Sequence, residues 1–356
     1  MRFISTENIL QGMKLAMPIY NSQGEILLKD GNRINEGIIQ RIKEIGFNGI
    51  FIDDYQSQGL IANKILDDSF KYKMAANLKE TSNKIRTGAL PDRLIRKLKD
   101  DVDEIINMVI YNKNRMLNVS DIKIFGDYPF YHAVFTSLLS IMMGFELKLN
   151  RLDLFDLGQA GLFHDIGKMF VQEKILNKKE RLTAVEEEEL RSHSYKSYKI
   201  LRESNLFTSK CCVGVLDHHE RFDGRGYPNK KRNKDITLPG RIITIVSAYD
   251  SLTSEKPYAK AKAPSEAMEY IMGGSGALFD PEFVQLFLRM VAPYPIGTLV
   301  ELSNGVIGIV TENYKDCCMR PRIMAINDNN CEADRVYIDL KNDADAVSVT
   351  ISRILS

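Results

Sequence analysis

The first 54 residues alternate between short apolar runs and polar turns, and this pattern predicts a small α/β unit. Residues 16–20 and 25–28 are rich in apolar side chains, and the Asn21-Ser22-Gln23-Gly24 segment between them is typical of a hairpin turn. Four isoleucines then recur at helical spacing between residues 38 and 45, and the apolar residues 49–52 predict a closing strand.

Residues 55–117 are rich in charge and carry apolar side chains at helical spacing, which predicts connecting helices. One face of them holds Leu94, Ile95, Leu98, Val102, Ile105, Ile106 and Val109. The pattern of residues 118–292 predicts a larger helical domain. Within it, Thr183 followed by Glu186 is a capping box that opens one helix. Asp280 before Pro281 is an N-cap that opens another.

From residue 293 to residue 356 the pattern changes from helices to strands. Residues 297–302 and 306–310 flank a Ser303-Asn304-Gly305 turn, which is typical of a hairpin. We therefore expect a small C-terminal β unit. The predicted fold class is mainly α, with one helical domain between the α/β unit and the β unit.

The composition is that of a globular protein, with 44% hydrophobic and 27% charged residues in a chain of 356. The formal net charge of +1 predicts no general attraction to DNA or to a membrane. The N-terminus is not expected to be a signal peptide, and the apolar stretch from Ala133 to Phe145 is too short to span a bilayer. The five cysteines show no zinc-binding spacing, so we expect a reducing, cytoplasmic location.

All five histidines lie in the predicted helical domain, and they are His132, His164, His193, His218 and His219. His132 taken alone suits a helix core, and His193 alone suits a charged surface. Five histidines in one helical block, one of them followed directly by Asp165, indicate a metal site instead. Imidazole and carboxylate groups suit first-row divalent ions. Such a set can hold two ions about 3.5–4 Å apart with a carboxylate bridging them.

Two segments around these histidines resemble the signatures of the HD-GYP family, which is part of the HD hydrolase superfamily. Residues 163–168 (Phe-His-Asp-Ile-Gly-Lys) resemble the HD motif. Residues 218–228 (His-His-Glu-Arg-Phe-Asp-Gly-Arg-Gly-Tyr-Pro) resemble the segment that gives the family its name. His132 and His193 match the two other histidines of the family. The resemblance covers about half of the chain, from Asp127 to Val291.

The resemblance implies a phosphodiesterase that hydrolyses cyclic di-GMP to pGpG or GMP through a metal-activated hydroxide. Two divalent transition-metal ions, iron or manganese, are the implied cofactors. The implied metal ligands are His132, His164, Asp165, His193, His218, His219 and Asp250. The implied catalytic residues are Asp165 and Lys168, and we expect Lys168 to neutralise charge on the phosphoryl group. The implied substrate-binding residues are Lys168, Arg225, Gly226, Tyr227, Pro228 and Lys256.

Three positions depart from the family pattern. Tyr128 occurs where members with three metals carry glutamate, so the sequence favours two ions. Ser247 occurs where the family has a ligating aspartate. Either Asp250, about 300° further round a helix, reaches in as the ligand, or water fills the position, or one ion binds weakly. Lys256 replaces the arginine of an Arg-Pro-Tyr stretch, which weakens bidentate control of a phosphate.

Three functions follow from these patterns. The first is an active cyclic di-GMP phosphodiesterase. The second is a degenerate, non-catalytic domain that binds a cyclic dinucleotide or a partner protein and relays a signal, for which the departure at Ser247 is the main argument. The third is a hydrolase acting on another nucleotide, such as a hybrid cyclic dinucleotide. A homodimer and signalling partners of the diguanylate-cyclase type are also considered.

Overall fold

The computed structural model describes residues 1–21, 23–47, 49–57, 59–60, 65–112, 128–254, 260–326 and 335–355. Helices dominate this described part of the chain, with small sheets before and after them. The predicted fold class, mainly α, is confirmed. No helix within the described ranges is long and apolar enough to cross a membrane.

The N-terminal unit contains short strands and one helix, as the sequence predicts. Its elements are β1 (Arg2–Ser5), β2 (Lys14–Leu15), β3 (Ile19–Tyr20), β4 (Ile26–Leu28), α1 (Glu36–Ile45) and β5 (Gly49–Asp53). Strands β1, β5 and β2 form an antiparallel sheet in that order, and β3 pairs with β4 as the predicted hairpin. Leu15, Ile42, Ile50 and Ile52 lie in the buried core between the sheet and α1.

The next two helices belong to the same core as the helical domain. They are α2 (Asp68–Arg86) and α3 (Asp92–Tyr111). Leu78 of α2 and Val102 of α3 pack in one cluster with Leu139 and Leu157 of the helical domain. The apolar face seen in the sequence therefore fixes these helices against that domain. They are part of its packing, and they do more than connect two units.

Nine further helices lie in the described part of the helical domain. They are α4 (Tyr128–Glu146), α5 (Arg151–Phe163), α6 (Glu173–Leu176), α7 (Ala184–Arg191), α8 (His193–Ser204), α9 (Ser209–Asp217), α10 (Leu238–Thr253), α11 (Pro264–Gly273) and α12 (Pro281–Met290). The capping box of Thr183 and Glu186 opens α7, and the Asp280 side chain caps α12, as predicted. Along α4 every side chain from His132 to Met143 is buried, which makes this helix the centre of the domain.

The C-terminal unit is a five-stranded antiparallel sheet. Its strands are β6 (Leu299–Leu302), β7 (Ile307–Glu312), β8 (Arg322–Ala325), β9 (Tyr337–Asp339) and β10 (Ile351–Leu355), paired in the order β10-β6-β7-β8-β9. Gly305 has a φ of 83° in the turn between β6 and β7, a conformation that favours glycine. The predicted hairpin and β unit are confirmed.

Candidate metal centre

The ends of several helices bring the five histidines to one buried point. His132 lies on α4, His164 directly follows α5, His193 is the first residue of α8, and His218 directly follows α9. His219 comes next in the chain. The first four side chains are at most 4% exposed. The histidine cluster predicted from the sequence is therefore present in the fold.

Three of these rings are oriented by carbonyl groups at helix ends. The Nδ1 atoms of His164, His193 and His218 lie 2.8, 2.6 and 2.6 Å from the carbonyl oxygen three residues earlier in the chain. Those carbonyls are in the last turn of a helix, where side chains commonly satisfy the carbonyl groups. Because a carbonyl oxygen only accepts, each Nδ1 must donate, and the neutral ring keeps its lone pair on Nε2.

These lone pairs point at one another in two groups. The Nε2 atom of His193 lies 3.3 Å from Nε2 of His218 and 3.1 Å from Nε2 of His219. On the other side, Nε2 of His132 and Nε2 of His164 are 3.2 Å apart. We name the first set, with Asp165, the four-ligand group, and His132, His164 and Asp165 the three-ligand group. Within each group all ligand atoms lie within 4.8 Å of one another.

Asp165 belongs to both groups and divides its oxygens between them. Its Oδ1 lies 3.2 Å from Nε2 of His193, and its Oδ2 lies 3.4 Å from Nε2 of His164. Since those nitrogens carry lone pairs, neither supplies a proton, and Oδ1 is a buried oxygen with no hydrogen-bond donor. Buried polar atoms are normally satisfied. A divalent cation would satisfy this oxygen and the surrounding nitrogens together, so the residues fit a metal.

The protonation states also suit metal binding. Burial lowers the pKa of His164 and His219 well below the ordinary histidine value and lowers that of His193, so these rings are neutral near pH 7. Burial alone would raise the pKa of Asp165. The adjacent His164 and the ammonium group of Lys168, with Nζ 2.5 Å from Oδ2, hold that pKa well below its usual range. Neutral imidazoles around an ionised carboxylate are the ligand forms that divalent metals need.

Asp250 lies behind His132, outside both ligand groups. Its Oδ2 is 2.6 Å from Nδ1 of His132, and the carboxylate is 1% exposed. A carboxylate that accepts from the far nitrogen of a ligating histidine fixes the ring and raises its basicity. The structure thus gives the predicted ligand Asp250 a different position, with Ser247 nearer the group. The hydroxyl oxygen of Ser247 lies 3.3 Å from Nε2 of His132.

The side chain of Tyr128, the other departure on this side, lies against the same ring. Its hydroxyl oxygen is 3.4 Å from Nδ1 of His132, and the two ring centroids are 5.4 Å apart. Both substituted positions, Tyr128 and Ser247, therefore surround His132. The departures seen in the sequence are concentrated at the three-ligand group.

A loop that follows His219 covers the four-ligand group. Tyr227 stacks on the His219 ring with centroids 4.7 Å apart and planes at 20°. Gly226 allows this because a Cβ there would lie 2.3 Å from the backbone nitrogen of Arg221. The buried Glu220 holds the loop from below, since its carboxylate accepts from the backbone N–H groups of residues 229 and 231 at 2.7 and 3.0 Å.

The remaining predicted substrate-binding residues lie at the rim or outside the described chain. Arg225 and Pro228 are exposed on the loop beside Tyr227. Lys256 lies outside the described residues. The sequence did not single out Arg191, which lies on α7. Its guanidinium is 5.2 Å from the centroid of the Tyr227 ring. Its position two residues before His193 is the sequence feature that could have indicated that it lies near the site.

Comparison with known proteins assigns the helical region to a known family. The model of the HD domain family matches residues 105–283. The chain is 34% identical over 224 residues to the cyclic di-GMP phosphodiesterase PA4108 of Pseudomonas aeruginosa, which is 63% of this chain and 54% of that protein. It is also 34% identical over 179 residues to the 3'3'-cGAMP-specific phosphodiesterase 1 of Vibrio cholerae, which is 50% of this chain and 40% of that protein.

A solved structure shares the overall fold. It is that of Bd1817, a HDG"Y"P protein from Bdellovibrio bacteriovorus, with a TM-score of 0.51 and 14% sequence identity. The match covers 80% of this chain and 97% of Bd1817. By contrast, the chain spans only about half the length of the curated relatives it matches.

Proposed function

This chain belongs to the HD domain family, and from that premise we propose that it is a metal-dependent phosphodiesterase that hydrolyses cyclic di-GMP. The observation that carries the proposal is the cluster of histidine nitrogens around the shared carboxylate of Asp165. A bound cation would satisfy both the lone pairs that face inward and the buried oxygen of Asp165 that lacks a donor.

The four-ligand and three-ligand groups are the proposed sites of two divalent ions. Ions held there would supply Lewis-acid and electrostatic assistance to the hydrolysis of a phosphodiester. Asp165 would contribute its formal charge to both sites, one oxygen to each. We propose iron or manganese, because nitrogen-rich sites with a carboxylate suit both metals.

Other residues of the chain are proposed to bind and orient the substrate. The side chain of Lys168 is 35% exposed, so its ammonium group is accessible to a ligand while it contacts Asp165. We propose that it stabilises negative charge on the phosphate. The rim residues Arg225, Tyr227 and Pro228, together with Gly226 and Lys256, are proposed to line the path of the nucleotide. Asp250 is proposed to hold His132 in position.

The names of the relatives support a cyclic dinucleotide as the substrate class. They include proteins named for cyclic di-GMP and proteins named for 3'3'-cGAMP, at similar identity. We propose cyclic di-GMP, with pGpG or GMP as product, and keep the hybrid dinucleotide as the competing substrate. We also propose that the protein forms a homodimer, has signalling partners of the diguanylate-cyclase type and is located in the cytoplasm.

A non-catalytic binding role is the second candidate, and Ser247 is the observation in its favour. A hydroxyl is a weaker ligand for a divalent ion than a carboxylate. The candidate is not favoured, because the HD motif residues and all five histidines retain a ligand geometry that mere binding of a nucleotide does not require.

One assay separates these functions. Purified protein loaded with manganese or ferrous iron under anaerobic conditions is offered cyclic di-GMP, and products are separated by chromatography. We expect conversion to pGpG or GMP, abolished by a chelator and in Asp165→Asn. Binding without conversion, by protein of verified metal content, would establish the non-catalytic role. Faster conversion of 3'3'-cGAMP would reassign the substrate.

A further inference from the structure

A cavity beside the metal-ligand cluster is walled in part by α2, a helix outside the residues that the family model matches. The cavity has a volume of about 400 Å³ and reaches Asp165 and Lys168. Ligand pockets commonly have volumes of this order. The family match covers residues 105–283, whereas α2 spans Asp68–Arg86.

The face of α2 toward the cavity carries both apolar and polar side chains. Lys79, Ser82, Asn83 and Arg86 line it, at spacings of three, four and seven residues from Lys79, which places them on one side of the helix. Lys79, Asn83 and Arg86 are exposed, and Ser82 is buried. The cavity therefore presents cationic and amide groups along one wall.

The remaining walls are mainly apolar and are lined by Phe130, Leu162, Ile166 and Met169, with Glu173 as a further charged group besides Asp165 and Lys168. A space between apolar walls with hydrogen-bonding groups along one edge suits a flat, polar-edged ring better than it suits a phosphate alone. Arginine in particular can donate two parallel hydrogen bonds to O6 and N7 of guanine, and asparagine can pair with adenine.

The position of α2 is fixed, which makes it suitable as a selective wall. Met74, Ala75 and Leu78 belong to the core cluster that also contains α4 and α5 residues. These buried contacts set the distance between the polar face of α2 and Asp165. A wall positioned by core packing is pre-organised, and pre-organised walls discriminate between ligands at low entropic cost.

We propose that this cavity is a nucleobase subsite, in which one guanine of the cyclic dinucleotide inserts between the apolar walls and is recognised by Arg86 of α2. The proposal rests on the proposed function, because it takes the nucleotide substrate from there. It assigns substrate preference to a helix that the family signature does not include. Asn83 contributes a single hydrogen bond from its amide to the same base.

The test compares three substitutions on one helix. Arg86→Met removes the guanidinium from the cavity wall and keeps much of the side-chain length. Asn83→Ala removes the amide. Lys84→Met is the matched control, since Lys84 is an exposed cation two residues from Arg86 that pairs with Glu80 at 2.8 Å and does not line the cavity. Each variant is loaded with manganese, and its metal content is measured.

Two substrates separate base recognition from chemistry. They are cyclic di-GMP and bis(p-nitrophenyl) phosphate, a phosphodiester without a nucleobase. We expect Arg86→Met to raise KM for cyclic di-GMP about tenfold to a hundredfold, as for a lost hydrogen bond to a charged group. Hydrolysis of the nitrophenyl ester and the metal content should not change, and Lys84→Met should match the parent. An unchanged KM, or equal losses on both substrates, would overturn the subsite.

A failure of the proposed function would give a different experimental result from a failure of the subsite. If the parent protein does not hydrolyse cyclic di-GMP, equilibrium binding of cyclic di-GMP to the manganese-loaded protein is measured instead. If Arg86→Met weakens this binding and Lys84→Met leaves it unchanged, the nucleobase subsite is supported and the proposed phosphodiesterase activity is not. Absence of binding in the parent, or equal binding by all variants, would overturn the subsite itself.

Discussion

The four-ligand group and the three-ligand group share the carboxylate of Asp165 and differ in the number of histidines around it. In the four-ligand group three histidines surround Asp165, whereas in the three-ligand group two histidines do so and the Ser247 hydroxyl lies near His132. A hydroxyl binds a divalent ion more weakly than an imidazole or a carboxylate. The helices therefore determine where the candidate ligand atoms lie, while single side chains should determine how strongly each half would hold an ion.

The charge around Asp165 adds to this difference. The ammonium group of Lys168 contacts Oδ2, the oxygen on the side of the three-ligand group. A positive charge at that oxygen competes with a cation bound there. We therefore expect the four-ligand group to bind the first ion tightly and the three-ligand group to exchange the second one more readily.

The largest effect should follow from removing the shared ligand. Asp165→Ala deletes one ligand from each group, so we expect the metal content to fall from about two ions per chain to nearly none, with activity lost. Elemental analysis after dialysis measures this. The control is Asp153→Ala, on the preceding helix, where the carboxylate pairs with Lys210 at the surface. Full metal retention by Asp165→Ala would contradict the assignment of both groups.

Lys168→Met should lower turnover roughly 10²–10³-fold, the range seen for lost electrostatic stabilisers. Metal content should not fall, because the substitution removes a cation that competes for Oδ2. Turnover and metal content are measured on the same preparation, with the exposed Lys174→Met as control. If turnover is unchanged while both ions are retained, Lys168 has no role in the chemistry.

Asp250→Asn should affect one half of the cluster only. The substitution weakens the acceptor behind His132, and such changes reduce metal affinity about 10–100-fold. Competition with a chelator should show faster release of one ion, with the other unchanged. His193→Ala gives the opposite pattern, since it removes a ligand from the four-ligand group. Equal loss of both ions from Asp250→Asn would mean that the two groups are not independent.

Ser247→Asp should have the smallest effect, and it should increase metal retention, whereas Asp165→Ala and Asp250→Asn should decrease it. A carboxylate in place of the hydroxyl adds a formal charge beside His132, so the second ion should survive dialysis that removes it from the parent. Hydrolysis of cyclic di-GMP should be at least as fast as in the parent. Ser247→Ala is the matched control and should retain metal as the parent does. Identical retention by all three proteins would exclude residue 247 from the site.

Local patterns made much of this arrangement predictable from the sequence. The capping box at Thr183 and the turn at Gly305 depend on neighbouring residues only, and both are present. The histidine cluster was predictable because all five histidines lie in one helical block and two segments around them resemble the family signatures. Asp250 was harder to assign, because a rotation of about 300° round a helix leaves its distance to His132 open. Only the packing of α10 against α4 sets that distance.

The role of α2 illustrates what the sequence does not contain. Its apolar face predicted packing against some partner, but nothing in the chain before Arg86 indicated that Asp165 and Lys168 lie across a cavity from it. Contacts between residues about 80 positions apart in the chain arise from the shared core of Leu78, Val102 and Leu157. Tertiary packing of this kind leaves no periodic pattern that a reader of the sequence could recognise.

The converging lone pairs of the histidines also have a thermodynamic consequence for the whole fold. The Nε2 atoms that face one another at 3.1–3.3 Å come from different helices or from residues that follow them. An ion that binds only the folded chain would add about 2.7 kcal/mol of stability at a concentration a hundred times its Kd. A metal ion held by these ligands would thus crosslink α4, α5, α8 and α9, and the melting temperature of the protein should track the free metal concentration.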